Sequence, residues 1–323
     1  MPLPPPPPGS GFSGTPQPGG SPASTPTGAP ATSTTCYRHP NTATGRRCTR
    51  CGKPACNRCL TTAAVGSHCP DCAKAAQPDL KSRAKFWSAG QPNLITMVLI
   101  GMNVAVFVGV LLWTRDSGAL TGSITEAHVN LGLSKDVLAQ PLVWDPGSGD
   151  PIVTEPGGWY RLVTSGFMHF GVIHIALNMY FLYVLGPLLE PSLGRARFLL
   201  LYTASLLGGS LGVLVLDQGA LTAGASGAVF GLMSAAAVGL WRRGINPFST
   251  SIGTTLILNL FLTFFVGGIS IGGHVGGAIA GAVCATVMLA PGHKPMKAWA
   301  TYAAPAAVGI ISIVLSVIIV NAV

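Results

Sequence analysis

An all-α polytopic membrane protein of seven spans, with a small zinc-binding module ahead of them, is the fold class that the sequence predicts. Three observations predict it. Only 9% of the 323 residues are charged and 49% are hydrophobic, whereas a soluble domain carries about 25% charged residues. Seven apolar segments follow residue 93, most of them close to the roughly 20 residues that a helix needs to cross hydrocarbon. Seven of the eight cysteines crowd between Cys36 and Cys72, which means either metal ligands inside a cell or disulfides outside it.

The elements follow in order. Residues 1–35 contain no charge and consist almost wholly of Pro, Gly, Ser, Thr and Ala. Such a stretch cannot bury a core, so a disordered tail is expected. It lacks both a basic start and an apolar run, so no cleavable signal peptide is expected. Residues 36–72 form the Cys/His module, and 73–92 a basic linker with Lys81, Arg83 and Lys85. Residues 93–323 form the membrane domain. Its apolar segments lie at about 94–114, 171–189, 198–216, 225–241, 252–268, 271–290 and 299–320, and the fifth is the shortest fit to a span. The one long insertion, 115–160, contains Trp144, Trp159 and Tyr160, residue types that favour a membrane interface.

Basic residues set the orientation. Lys81/Arg83/Lys85, Arg195/Arg197, Arg242/Arg243 and Lys294/Lys297 all fall on one side if the N-terminus is cytoplasmic. The expected protein is therefore multi-pass in the plasma (cytoplasmic) membrane, with the 115–160 loop and the C-terminus outside. The net charge of +9 is explained by this bias and by the Cys/His region, so no nucleic-acid partner is expected.

Three polar sites then stand out among the spans. Span four opens with Gly224-Ala225-Ser226-Gly227, and span six with Gly272-Gly273-His274-Val275-Gly276-Gly277. Gly227, Gly231 and Ala235 share one helix face, as do Gly273, Gly277 and Gly281, so the two backbones can approach closely. Contact between those stripes would bring the Ser226 hydroxyl within reach of the His274 imidazole. A serine needs an adjacent base to become a nucleophile, and histidine supplies one near neutral pH. No acidic residue lies in spans four to six, so the arrangement would be a Ser–His dyad. On span two, His174 and Asn178 are one turn apart and share a face. With the Ser226 amide they can donate to an oxyanion, each donor worth about 100- to 1000-fold in rate. Alone, Ser226 reads as a packing residue and Asn178 as interhelical glue. Three such sites on three spans at one depth point to chemistry instead.

The same residues carry a family resemblance. The run Trp159-Tyr160-Arg161-Leu162-Val163-Thr164, continuing through His169, His174, Asn178 and Glu190 to Gly194-Arg195, resembles the rhomboid protease signature. So do Gly224-Ala225-Ser226-Gly227 and His274-x-x-Gly277-x-x-x-Gly281. The resemblance covers roughly residues 93–290. It implies a rhomboid-like six-helix bundle plus one added C-terminal helix, with Ser226 as nucleophile, His274 as base, and His174, Asn178 and the Ser226 amide at the oxyanion. His169, Arg161 and Glu190 become structural supports, the first two of the external loop. Gly273 departs from the pattern, in which alanine commonly precedes the histidine. The expected activity is hydrolysis of peptide bonds in transmembrane protein substrates near the outer face, without a cofactor for catalysis. A non-catalytic relative that binds or chaperones transmembrane clients is the alternative. A transporter is disfavoured by the lack of acidic residues in the later spans.

The module's pattern is Cys36-x2-His39, Cys48-x2-Cys51, Cys56-x2-Cys59 and Cys69-x2-Cys72. Four chelating pairs in so short a stretch signal two tetrahedral zinc sites, and a reducing cytoplasm disfavours disulfides. The spacing resembles B-box-type zinc fingers. That resemblance implies cross-bracing, with Cys36, His39, Cys56 and Cys59 at one ion and Cys48, Cys51, Cys69 and Cys72 at the other. His68 is an alternative to Cys69. The module is expected to engage a cytoplasmic protein or tune the protease rather than perform chemistry.

Overall fold

The computed structural model describes residues 34–139, 142–144, 151–153, 158–217, 219–265, 268–290 and 296–322. The tail expected over 1–35 thus lies outside the described residues up to 33, as does Lys294. The chain divides into two compact units, Met1–Arg83 and Ala84–Val323.

The first unit contains β1 (Thr35–Cys36) paired with β2 (His39–Ala43), β3 (Thr61–Thr62) paired with β4 (Ser67–His68), and α1 (Pro70–Ala75). Each hairpin is two-stranded and antiparallel. Such short ribbons are not stable alone. The buried apolar set here is Cys36, Cys48, Ala55, Cys56, Cys59 and Cys69, so the cysteines themselves form the interior. Helix α2 (Leu80–Ala89) follows, within a basic stretch.

In the second unit every apolar segment is helical. These are α3 (Leu94–Thr114), α8 (Gly171–Leu193), α9 (Arg195–Leu216), α10 (Ser226–Trp241), α11 (Ser251–Phe265), α12 (Ile271–Met288) and α13 (Ala298–Asn321). Five of them are long and apolar enough to cross a membrane, while α10 and α11, with 16 and 15 residues, are shorter. At about 1.5 Å per residue those two reach only about 24 Å. The insertion after α3 is not a bare loop. It folds into α4 (Gly118–Thr121), α5 (Glu126–Leu131), α6 (Lys135–Ala139), the antiparallel pair β5 (Leu142–Trp144) and β6 (Pro151–Val153), and α7 (Arg161–Thr164).

Helix α8 runs past the expected residue 189 to Leu193, through Pro187 and Pro191. A proline breaks an isolated helix, but packed neighbours can support it in a membrane. The helix stops at Gly194, where φ is +77° and from which α9 starts at once. Glu190 is 1% exposed and accepts from the Ile95 and Thr96 amides, both at 2.9 Å, and from the Thr96 hydroxyl at 2.7 Å. It thereby caps the N-terminus of α3, where a negative charge also suits the helix dipole.

The closest helix contacts of the bundle are made by glycine. A Cβ on Gly277 would collide with the Gly227 carbonyl, and one on Gly281 with that of Gly231. On the opposite side of α12, Gly272 and Gly276 meet Gly212 and Gly208 of α9 in the same way. Helix α12 is therefore wedged between α9 and α10 at backbone distance, the approach that small-residue stripes permit.

Candidate active site

The wedge sets the N-terminal turns of α10 and α12 side by side. Ser226 is the first residue of α10, half-buried, and His274 the fourth of α12. The His274 ring stacks on Phe230, with centroids 4.0 Å apart and an 18° interplanar angle. Phe230 lies one turn beyond Ser226 on the same helix, so the imidazole faces the turn that carries the hydroxyl. Among the described residues no hydrogen bond joins Ser226 Oγ to His274. The His274 Nδ1 lies 2.7 Å from the Thr263 hydroxyl. Catalytic hydrogen bonds are often long in a ligand-free site and tighten with substrate.

The start of α12 is fixed by two caps. Ser270 Oγ accepts from the Gly273 amide at 2.9 Å, and Asp217 at the end of α9 accepts from the Gly272 amide at 3.0 Å and from the Ser270 hydroxyl. The turn before α10 is held by His169 and Ser165. Gly224 N–H donates to the Ser165 carbonyl at 2.9 Å, and Ala225 N–H to His169 Nε2 at 3.5 Å. Burial, reinforced by the nearby His174, pushes His169 down to about 3, so its ring stays neutral and Nε2 can accept. The His169 carbonyl in turn lies 3.0 Å from His128 Nε2 in α5, a ring that burial also pushes below the usual histidine range. His169 therefore ties the insertion to the serine turn.

Gly224 explains how span two reaches this turn. Its φ is +138°, and a Cβ there would lie 2.8 Å from His174 Nε2 and 3.6 Å from Ser226 Oγ. Only glycine leaves that space. His174 accordingly abuts the serine turn. Asn178 is buried, but its Nδ2 donates back to the His174 carbonyl at 3.0 Å, which uses one of its two N–H groups. The Ser226, Gly227 and Ala228 amides open α10 and have no partner one turn earlier. The same three residues border a cavity of about 30 Å³ that Ser165, Ser210, Thr222 and Ser270 also line. That is room for a water, with the several polar partners a water needs. Arg161 is 1% exposed and donates to the carbonyls of Val129 and Gly132, the latter at 3.2 Å. It binds the insertion rather than the serine turn.

Sequence reasoning leaves out Thr263, Phe230, Asp217 and the cavity hydroxyls. One signal was available: Asn259 and Thr263 form a polar pair one turn apart in the fifth apolar segment, where polar residues are costly.

In the N-terminal unit the ligand atoms of Cys36, His39, Cys56 and Cys59 all lie within 4.8 Å of one another, and so do those of Cys48, Cys51, Cys69 and Cys72. Zinc with thiolates at about 2.3 Å requires tetrahedral edges of about 3.8 Å. The Cys36–Cys59 and Cys51–Cys69 sulfurs are 3.8 and 3.6 Å apart, and His39 Nδ1 lies 3.3–3.7 Å from three sulfurs. The donors thus fit a tetrahedral ion, and every cysteine is free of disulfide. The alternating pairing is that of a cross-brace. Cys69 and not His68 joins the second group.

Comparison with known proteins bears on the membrane part. Residues 156–291 match the family described as "Rhomboid domain". The chain is 34% identical over 126 residues to "Rhomboid protease GluP" of Bacillus subtilis (strain 168), a match covering 38% of this chain and 25% of that protein. It is 38% identical over 93 residues to "Putative rhomboid protease YdcA" of the same organism, covering 28% of this chain and 47% of that one. It is 30% identical over 154 residues to "RHOMBOID-like protein 6, mitochondrial" of Arabidopsis thaliana, covering 44% and 50%. The chain thus spans between a quarter and a half of these relatives' own length. Motifs, glycine wedge and comparisons point the same way: residues 156–291 of this membrane protein are similar to the rhomboid domain.

Proposed function

We propose that the chain is an intramembrane serine endopeptidase that cleaves transmembrane proteins with a Ser226–His274 dyad. The observation that carries this reading is the stacking of His274 on Phe230, one turn from Ser226, at a glycine-packed helix contact beside a hydroxyl-lined cavity.

In the proposed reaction Ser226 Oγ attacks the scissile carbonyl while its proton passes to His274 Nε2. A rotation of the serine side chain towards the imidazole would make the bond that the free site lacks. The carbonyl electrons move to oxygen, and that oxyanion is met by the Ser226 amide, His174 and the free N–H of Asn178. His274 then returns the proton to the leaving amine as the C–N bond breaks. Water, held at the hydroxyl cavity, hydrolyses the acyl-enzyme by the same steps in reverse. Arg161, His169 and Glu190 act as supports. The substrate would be a helix that can unwind locally, since an intact helix shields its amides.

The membrane reading extends to seven spans, with α10 and α11 as short ones, the N-terminus cytoplasmic and the C-terminus outside. Four basic clusters on one side support that orientation. The module would hold two structural zinc ions in the cytoplasm. The unmade Ser226–His274 bond is the one observation that favours a non-catalytic client-binding protein. Labelling of the full chain in micelles with a fluorophosphonate, alongside Ser226→Ala and His274→Ala, tests the choice. Labelling that needs both residues supports the protease, and labelling that persists in Ser226→Ala removes Ser226 as nucleophile.

A further inference from the structure

His274 is buried and neutral-partnered. Its Nδ1 lies 2.7 Å from Thr263 Oγ1 on α11, and the same hydroxyl lies 2.7 Å from the Asn259 carbonyl one turn earlier. Back-bonding of this kind is ordinary for hydroxyls in membrane helices, and Thr203, Ser312 and Ser316 do the same here. The second contact is what sets Thr263 apart. A threonine hydroxyl has one hydrogen and two lone pairs, and a backbone carbonyl can only accept. With the hydrogen on the Asn259 carbonyl, the hydroxyl offers His274 a lone pair. Nδ1 must then carry the proton. In a neutral imidazole that leaves the lone pair on Nε2, the nitrogen free to take a proton from serine.

We propose that Thr263 is a positioning residue for His274: its hydroxyl, with its own hydrogen tied to Asn259, fixes the Nδ1–H tautomer and the ring orientation that make Nε2 the base. This rests on the protease reading above. Thr263 would do for the histidine what a buried carboxylate does in a serine–histidine–aspartate triad, where the wrong tautomer costs about 10⁴ in kcat. A neutral hydroxyl is far cheaper to bury in lipid than a carboxylate, and spans four to six contain no acidic residue. Burial agrees with a dedicated contact. Of the 15 residues of α11, Gly253 and Thr263 are the buried ones, and Thr263 is 2% exposed. When Nε2 gains the serine proton, the Nδ1–H bond to Thr263 persists, so the ring is held through both protonation states.

The test uses the full chain in micelles with nitrogen-labelled histidine. In the wild type, the resonance lost in His274→Ala should report a protonated Nδ1 and a bare Nε2. Thr263→Val keeps the shape and removes the acceptor. It should populate the other tautomer and lower kcat on a transmembrane test substrate by roughly 3- to 10-fold, the worth of one neutral hydrogen bond, with KM unchanged. Thr263→Ser should restore both the spectrum and the rate. A wild-type His274 protonated at Nε2 would overturn the proposal, even if the valine variant failed to fold. So would a Thr263→Val protein with wild-type kcat. If the wild type is no more active than Ser226→Ala, the protease reading falls and takes the catalytic role of Thr263 with it. The spectrum still decides the pairing, so the two failures are distinguishable.

Discussion

In the Cys/His module the buried apolar set is five of the candidate ligand cysteines, with Ala55 as the sole addition among the described residues. Where α9, α10 and α12 meet, the closest contacts are made by residues with no side chain at all. The module has donors and too little apolar area, which is why an ion is proposed to hold it together. The bundle sits in a solvent as apolar as its own leucines, so burial gains little there and close backbone packing has to serve. The first region is therefore vulnerable to losing an atom, and the second to gaining one.

The largest effect tests the first half of that contrast. The purified full chain should contain two zinc ions, and Cys51→Ser or Cys56→Ser should each lower that content. Structural zinc in small modules supplies about 10–16 kcal/mol of apparent binding free energy. Chelation should therefore open the module to trypsin between Arg46 and Arg58 while the helical content of the bundle stays. A chelated chain whose module resists trypsin as before would show that something other than metal holds it.

Next comes the wedge. Overpacking a well-filled core typically costs about 1–3 kcal/mol, and more when backbone must move. A Cβ on Gly277 meets the Gly227 carbonyl, which cannot rotate away. Gly277→Ala should cost at least about 3 kcal/mol in unfolding from micelles, and Gly277→Val should prevent folding. An alanine variant of wild-type stability would mean that α10 and α12 are not in backbone contact.

A smaller loss is expected at a cap. Glu190→Gln keeps the size of the side chain and removes the charge that three donors of α3 share. Charge-assisted hydrogen bonds are worth about 1.5–3 kcal/mol, and glutamine retains part of that. The cost should be about 2 kcal/mol, read in the same unfolding assay. No change would place the α3 terminus in water instead of against Glu190.

How much of this was legible in the sequence follows from what each feature depends on. Helix positions depend on local apolar runs, and α3 spans the expected residues. The ligand pairs of the module depend on spacing, which is printed in the chain; their cross-bracing was implied by a resemblance and agrees with the two Cys/His groups. The glycine stripes announced a close helix contact, and Gly277 on Gly227 supplies it. Boundaries were less legible where packing overrides propensity, as in α8, which continues through Pro187 and Pro191. Pairings across long stretches of chain were not legible at all. Glu190 caps a helix that begins near residue 94, and Asp217 caps one that begins at Ile271. A single sequence carries no sign of which distant amide a carboxylate will meet. Within the insertion, α5 is held by Arg161 and His169 from far along the chain, and such contacts too are invisible to local patterns.

The smallest effect sharpens the contrast within the bundle itself, by separating glycine as a residue from glycine at a contact. Gly101 lies in the middle of α3, and a Cβ there would have no atom within 4 Å. Alanine at such a site removes backbone freedom from the unfolded chain and meets nothing in the folded one, a change worth about 0.4–1 kcal/mol of added stability in water. The lipid-facing position should keep the sign and reduce the size, so Gly101→Ala should leave unfolding unchanged or raise stability by less than about 1 kcal/mol. The same substitution at Gly277 is expected to be destabilising by several times that amount. Equal losses at both positions would show that the bundle needs glycine for flexibility along its helices, and not for the approach of α10 to α12.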